Sequence, residues 1–205
     1  ILKIYIVGDS ISIQYGPYLE SYLRGVFEYS RKGRLEEETL ESDHNTVENG
    51  GDSRLVLNHL QNIRDTSILS ADVFVVNCGL HDIKTDPITQ KKQVAITEYE
   101  QNLISIIKLI ATFPSKMVWV RTTPCDENIH NSGQMEFHRF SSDCVAYNSV
   151  ADRVMNLKGI PVIDLYSFTC NLGDDLYCDH VHFHDFIRQQ QAAYIAGCLS
   201  GILGF

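Results

Sequence analysis

At 205 residues and 44% hydrophobic content, the chain can bury a substantial core, and one domain spanning residues 1–205 is expected. A formal charge of −9 argues against nucleic acid or anionic membrane surfaces as partners. No apolar run reaches the roughly 18 residues a transmembrane helix needs. No signal peptide is visible before the first strand, which favours the cytoplasm over secretion after signal removal. The oligomeric state is left open.

In chain order, Ile4-Tyr5-Ile6-Val7 is a β-rich run suited to a strand buried on both faces. Gly8-Asp9-Ser10 breaks it, and a helix-compatible segment begins near Ile11. Residues 17–27 carry Tyr18, Tyr22 and Val26 at helical spacing. Residues 31–41, with the acidic run Glu36-Glu37-Glu38, read as a solvated charged stretch. A second strand should hand over to a helix at Asn49-Gly50-Gly51-Asp52-Ser53, and Leu55–Ile63 reads as that helix. Val73–Val76 is a buried strand ending at Asn77-Cys78-Gly79, and residues 94–113 form a long amphipathic helix stopped by Pro114. Met117–Val120 is the next strand. The helix over 140–157 is closed by Gly159, a fifth strand falls within 160–165, and a last helix runs over 186–199. Strands alternating with helices imply a mostly parallel five-stranded sheet in a three-layer α/β/α arrangement.

Six cysteines (Cys78, Cys125, Cys144, Cys170, Cys178 and Cys198) lack any Cys-x-x-Cys pair, a spacing wrong for structural zinc. Reduced thiols are expected. In a secreted protein, Cys170 and Cys178 would be the pair to close a disulfide, across a short Gly/Asp-rich loop.

Four stretches then fall at the carboxyl ends of strands, where open α/β sheets bind ligands. Ser10 stands where the first strand becomes the first helix, beside N–H groups able to stabilise negative charge. Gly-Asp-Ser alone is equally an ordinary turn and N-cap. Gly51 can present an unobstructed N–H to an oxyanion, or simply make a turn. Gly79-Leu80-His81-Asp82 places a side-chain donor at the same rim, unless His81 is an ordinary loop residue and Asp82 a helix cap. In Asp179-His180-Val181-His182-Phe183-His184, a carboxylate three residues before an imidazole can hold Nδ1 and leave Nε2 free as a base. His180, His182 and His184, with Asp179 or Asp185, could instead bind a metal. That reading is the weaker one, since alternate histidines on a strand rarely converge on one ion. Residues 124–140, with Asn128, His130, Asn131, Phe137 and His138, form a polar and aromatic connection, either a pocket border and lid or plain solvated chain.

Together these blocks resemble the SGNH (GDSL-type) hydrolases, over about residues 3–200. Gly8-Asp9-Ser10 matches the nucleophile block, Gly51 the oxyanion glycine, and Asp179-x-x-His182 the block supplying acid and base. One position departs: the family's Gly-x-Asn-Asp block has His81 in place of Asn, and an imidazole N–H can still donate. The resemblance implies a flavodoxin-like three-layer fold and a Ser10–His182–Asp179 triad. The implied oxyanion hole is formed by Ser10, Gly51 and His81, with no metal and no cofactor. It implies hydrolysis of small-molecule or carbohydrate esters, acetyl esters preferred, with lysophospholipids and thioesters as alternatives. Two readings from other classes stay open: a catalytically silent module binding a carbohydrate or a partner, and a flavodoxin-like cofactor binder. The second would need a phosphate-cradling loop, and Gly-Asp-Ser-Ile-Ser has a single glycine.

Overall fold

The computed structural model describes residues 1–33, 47–133 and 136–205. Among these, five strands form one all-parallel sheet: β1 (Leu2–Val7), β2 (Phe27–Arg31), β3 (Val73–Val76), β4 (Lys116–Val120) and β5 (Val162–Ile163). Their order is β2-β1-β3-β4-β5. Among the described residues, seven helices surround them: α1 (Ser10–Leu23), α2 (Ser53–Thr66), α3 (Ile96–Ile110), α4 (Glu127–Asn131), α5 (Ser141–Lys158), α6 (Leu165–Cys170) and α7 (Asp185–Leu203). α1 packs on α7, and α6 joins them; α2, α3 and α5 pack together. No described helix is long and apolar enough to cross a membrane.

The sheet is held together by continuous apolar runs in its central strands. Ile4–Val7 and Val73–Val76 are all buried, as a parallel sheet covered on both faces requires. β1 pairs with β2 on one side and β3 on the other, so the chain order reverses beside it. That reversal opens a crevice at the carboxyl ends of β1 and β3, the usual binding place in such sheets.

Several sequence expectations need adjusting. The first helix starts at Ser10 itself and stops at Leu23, not at residue 27. Gly25, at φ +85°, turns the chain directly into β2. The buried stripe of α1 is Ile11, Tyr15, Leu19 and Leu23, while Tyr22 and Val26 are exposed. β2 itself is too polar to read as a strand because it lies at the edge of the sheet. Arg31 is not solvated: its guanidinium is buried and donates to the Ser12 carbonyl at 2.8 Å. The Glu36–Glu38 run lies outside the described residues.

α3 begins at Ile96, two residues after the expected start. Gly159 closes α5 at φ +65°, as expected. β5 is only two residues long because Asp164 caps α6, accepting from Ser167 N at 3.0 Å. Arg121 holds that cap at 2.7 Å and reaches Asp152 at 3.1 Å. All six cysteines are free thiols, so Cys170 and Cys178 do not pair here.

Gly79, which follows β3, has φ +156°, and a Cβ there would lie 2.2 Å from Thr122 Oγ1. Thr122 in turn donates to the Cys78 carbonyl at 3.0 Å. Gly79→Ala should therefore lower stability by about 1–3 kcal/mol. Urea unfolding measures this, and an unchanged midpoint would contradict the packing described.

Candidate active site

Ser10 is the first residue of α1. Asp9 precedes it as N-cap, its Oδ1 accepting from Ile11 N at 3.0 Å. The N–H of Ser10 is one of the helix-start donors that have no intrahelical acceptor. Gly8 is required by the turn, since a Cβ there would meet the Ser12 Cβ and Oγ at 2.9 Å. Burial pushes the Asp9 carboxyl up, against the pull of the Ile11 N–H and the nearby Arg139 charge.

The loop before α7 returns to this point. His182 Nε2 lies 2.8 Å from Ser10 Oγ, across 172 residues of chain. On the other side of the ring, Nδ1 lies 2.7 Å from Asp179 Oδ2. Asp179 Oδ1 accepts the backbone N–H of Val181 at 2.8 Å and of His182 at 2.7 Å. Burial would raise this carboxyl, but the two N–H groups and the imidazole outweigh it and hold the pKa at about 2. Asp179 is thus an anion at any working pH, and it fixes the ring with a proton on Nδ1 and Nε2 facing the hydroxyl.

The three alternate histidines of that loop turn to different partners. His180 Nδ1 meets His130 Nδ1 at 2.8 Å, His182 serves Ser10, and His184 Nε2 lies 3.3 Å from Asp175. Among the described residues, no group of His, Cys, Asp and Glu has the arrangement to hold a metal ion.

The second rim stretch docks onto the first: Gly50 N donates to the Gly8 carbonyl at 2.8 Å. A Cβ at Gly50 would sit 3.0 Å from that oxygen. Gly51 takes a left-handed backbone conformation, at φ +69°. Its N–H donates to Asn49 Oδ1 at 2.8 Å. Asp52 caps α2, accepting from Arg54 N at 3.0 Å and Leu55 N at 3.2 Å, and also takes Gln93 Nε2 at 2.8 Å.

Asp82 is buried, and both its oxygens accept from Ser53 N, at 3.0 and 3.1 Å. It thus caps α2 from a distance and ties the Gly51 loop to the end of β3, a role its sequence neighbours do not disclose. Burial, only partly offset by Ser53, raises its pKa to about 7.

His81 sits between these loops. Burial, with Lys84 and Arg139 nearby, lowers its imidazole to about 3. The ring is therefore neutral in ordinary buffers and keeps one N–H to donate.

Residues 124–133 and 136–140 brace this rim. They include α4 and a bridge between His138 and Thr85, whose N–H and C=O groups exchange bonds at 2.8 Å. His130 is fully buried against His180, and Arg139 Nε donates to the Leu80 carbonyl at 2.7 Å. Composition alone gave no hint of these buried polar contacts, because His and Arg in a polar stretch ordinarily face water. The cavity lined by Ile107, Ile110, Met117, Ile160, Pro161 and Leu203, about 330 Å³, does not include the Ser10 site.

No family model and no curated protein matches the sequence. Solved structures do match the fold. The lipase/acylhydrolase from Enterococcus faecalis superposes with a TM-score of 0.74 at 17% identity, covering 98% of this chain and 97% of that one. An acetyl xylan esterase gives 0.70 at 15% identity, over 97% and 100%. A member of the lipolytic G-D-S-L family from Veillonella parvula gives 0.67 at 15% identity, over 96% and 97%. The chain has the α/β fold of the SGNH/GDSL-type hydrolases.

The depressed pKa of Asp179 has a consequence for stability. Its folded value lies below the ordinary 3.8, so it contributes stability above about pH 4 that is lost as pH falls toward 2. Asp179→Asn should flatten that acid limb in unfolding measured against pH. Equal slopes in both proteins would contradict the bonding described.

Proposed function

We propose that this chain is a carboxylic ester hydrolase that works through a Ser10 acyl-enzyme. The reading treats residues 1–205 as one domain. The observation that carries it is the unbroken hydrogen-bond chain Ser10 Oγ–His182–Asp179, at 2.8 and 2.7 Å. A module that only bound a ligand would have no need of a base aligned on a hydroxyl.

In the proposed reaction, His182 Nε2 takes the proton as Ser10 Oγ attacks the ester carbonyl. Asp179 stabilises the imidazolium, and the tetrahedral oxyanion accepts from Ser10 N–H, Gly51 N–H and the His81 ring. For Gly51 to contribute, its amide must leave Asn49 Oδ1 or share its proton between the two acceptors. His182 then protonates the departing alkoxide. In the second half it takes a proton from water, which attacks the acyl carbonyl and releases the acid and free Ser10. None of these steps calls for a cofactor.

Small acyl esters, acetyl esters first among them and including those on carbohydrates, are the proposed substrates. An acetyl xylan esterase among the solved structures of like fold is in keeping with this choice, and lysophospholipids and thioesters are the alternatives.

The roles predict unequal losses in hydrolysis of p-nitrophenyl acetate and acetylated sugars. Ser10→Ala and His182→Ala should each lower kcat by roughly 10⁶, and His81→Ala by roughly 10² to 10³. Activity unchanged in Ser10→Ala would overturn the mechanism. Because His81 is neutral, His81→Asn should keep the shape of the pH–rate profile between about pH 5 and 9. Loss of a limb in that variant would assign His81 a titrating role instead.

A further inference from the structure

Cys125 and Cys144 lie far apart in sequence context, one just after β4 and one in the first turn of α5, yet their Sγ atoms are 3.3 Å apart. Both are buried, at 3% and 1% exposure. The backbone around them is already zipped together. Ser141 Oγ donates to the Cys125 carbonyl at 3.0 Å, and Ser141 N donates to Glu127 Oε2 at 2.8 Å. Rotation about χ1 of either residue is the movement that would bring the sulfurs toward bonding distance.

The segment between them touches both halves of the site. His130 meets His180, inside the Asp179–His182 loop, and Arg139 holds the Leu80 carbonyl beside His81. Asn131 and Arg139 clamp the segment internally: Asn131 Nδ2 donates to the Arg139 carbonyl at 2.8 Å, and Arg139 N donates to Asn131 Oδ1 at 3.0 Å. We propose that Cys125 and Cys144 are an oxidisable pair whose disulfide closes residues 125–144 into a covalent loop bracing the triad loop and the His81 turn.

The chemistry is ordinary thiol–disulfide exchange with a low-molecular-weight disulfide such as glutathione disulfide. The Cys125 thiolate attacks one sulfur of the oxidant, forming a mixed disulfide and releasing one thiol. Cys144, once deprotonated, attacks the Cys125 sulfur and expels the second thiol. Two cysteines lose two protons and two electrons, and one disulfide is reduced to two thiols. Cys125 is the natural first nucleophile. Its pKa is lowered by the Cys144 S–H, against burial and with help from Arg139, while that same shared bond, and then burial, push Cys144 up. A cleft of about 680 Å³ bordered by Cys125, Asp126, Tyr166 and Tyr177 gives an oxidant a route to the first sulfur.

The test needs no assumption about activity. The folded protein is incubated with glutathione disulfide or with dithiothreitol, then denatured, alkylated with iodoacetamide and digested for mass spectrometry. The oxidised sample should yield the Cys125 and Cys144 peptides joined and two hydrogens lighter than their sum. The reduced sample should show both cysteines alkylated. Oxidation should also shift the unfolding equilibrium by roughly 10²-fold for a loop of this length, and Cys144→Ala should lose that response. Two alkylated thiols after oxidation, or Cys125 joined to another cysteine, would overturn the pairing. A crosslink that leaves the unfolding midpoint unmoved would overturn the bracing role.

Discussion

The hydrogen bond that Ser10 Oγ donates to His182 Nε2 joins the end of the first strand to the last loop of the chain, and the other features of the site depend on it. Its length is set by two things that lie far apart in sequence. β1 delivers Ser10 to the crevice where the strand order reverses, and α1 then runs back along the sheet against α7. Because α7 follows the Asp179–His182 loop directly, the packing of the two helices also fixes the distance between base and hydroxyl. Tyr18 on α1 donates to Asp185 at the start of α7 at 2.6 Å, a further tie across that contact.

Asp179 adds orientation to distance. One of its oxygens takes two backbone N–H groups and the other takes the imidazole, so the carboxylate shapes the loop and sets the tautomer together. The opposite rim is built differently. There Asp52 and Asp82 cap α2 from two directions, and the glycine at 50 lets the backbone approach Gly8 closely. A neutral His81 can do the work of an amide donor there because burial keeps it uncharged.

What the sequence makes legible follows from how local each signal is. β1, β3 and β4 are continuous apolar runs, and the residues after them fall at the ligand edge almost by definition. Asp179 and His182 sit in one turn, so their pairing is readable from spacing. β2 is not readable, because an edge strand can carry Glu28 and Ser30 without penalty. The burial of Arg31 depends on the Ser12 carbonyl, 19 residues away. Asp82 looks like a local cap and is a distant one. His130 and Arg139 sit in a polar stretch that composition leaves open between a pocket border and a solvated connection, and tertiary contacts bury both. Asn49 stands two residues before Gly51 in sequence, yet only the fold shows its side chain taking the glycine N–H.

The central claim is that His182 makes Ser10 a nucleophile. A fluorophosphonate reagent, which reacts with activated serines by the same attack, tests it directly when followed by peptide mass spectrometry. One adduct per chain is predicted, located on Ser10 and lost in His182→Ala. Labelling at another residue, or labelling of Ser10 that survives His182→Ala at the same rate, would contradict the account.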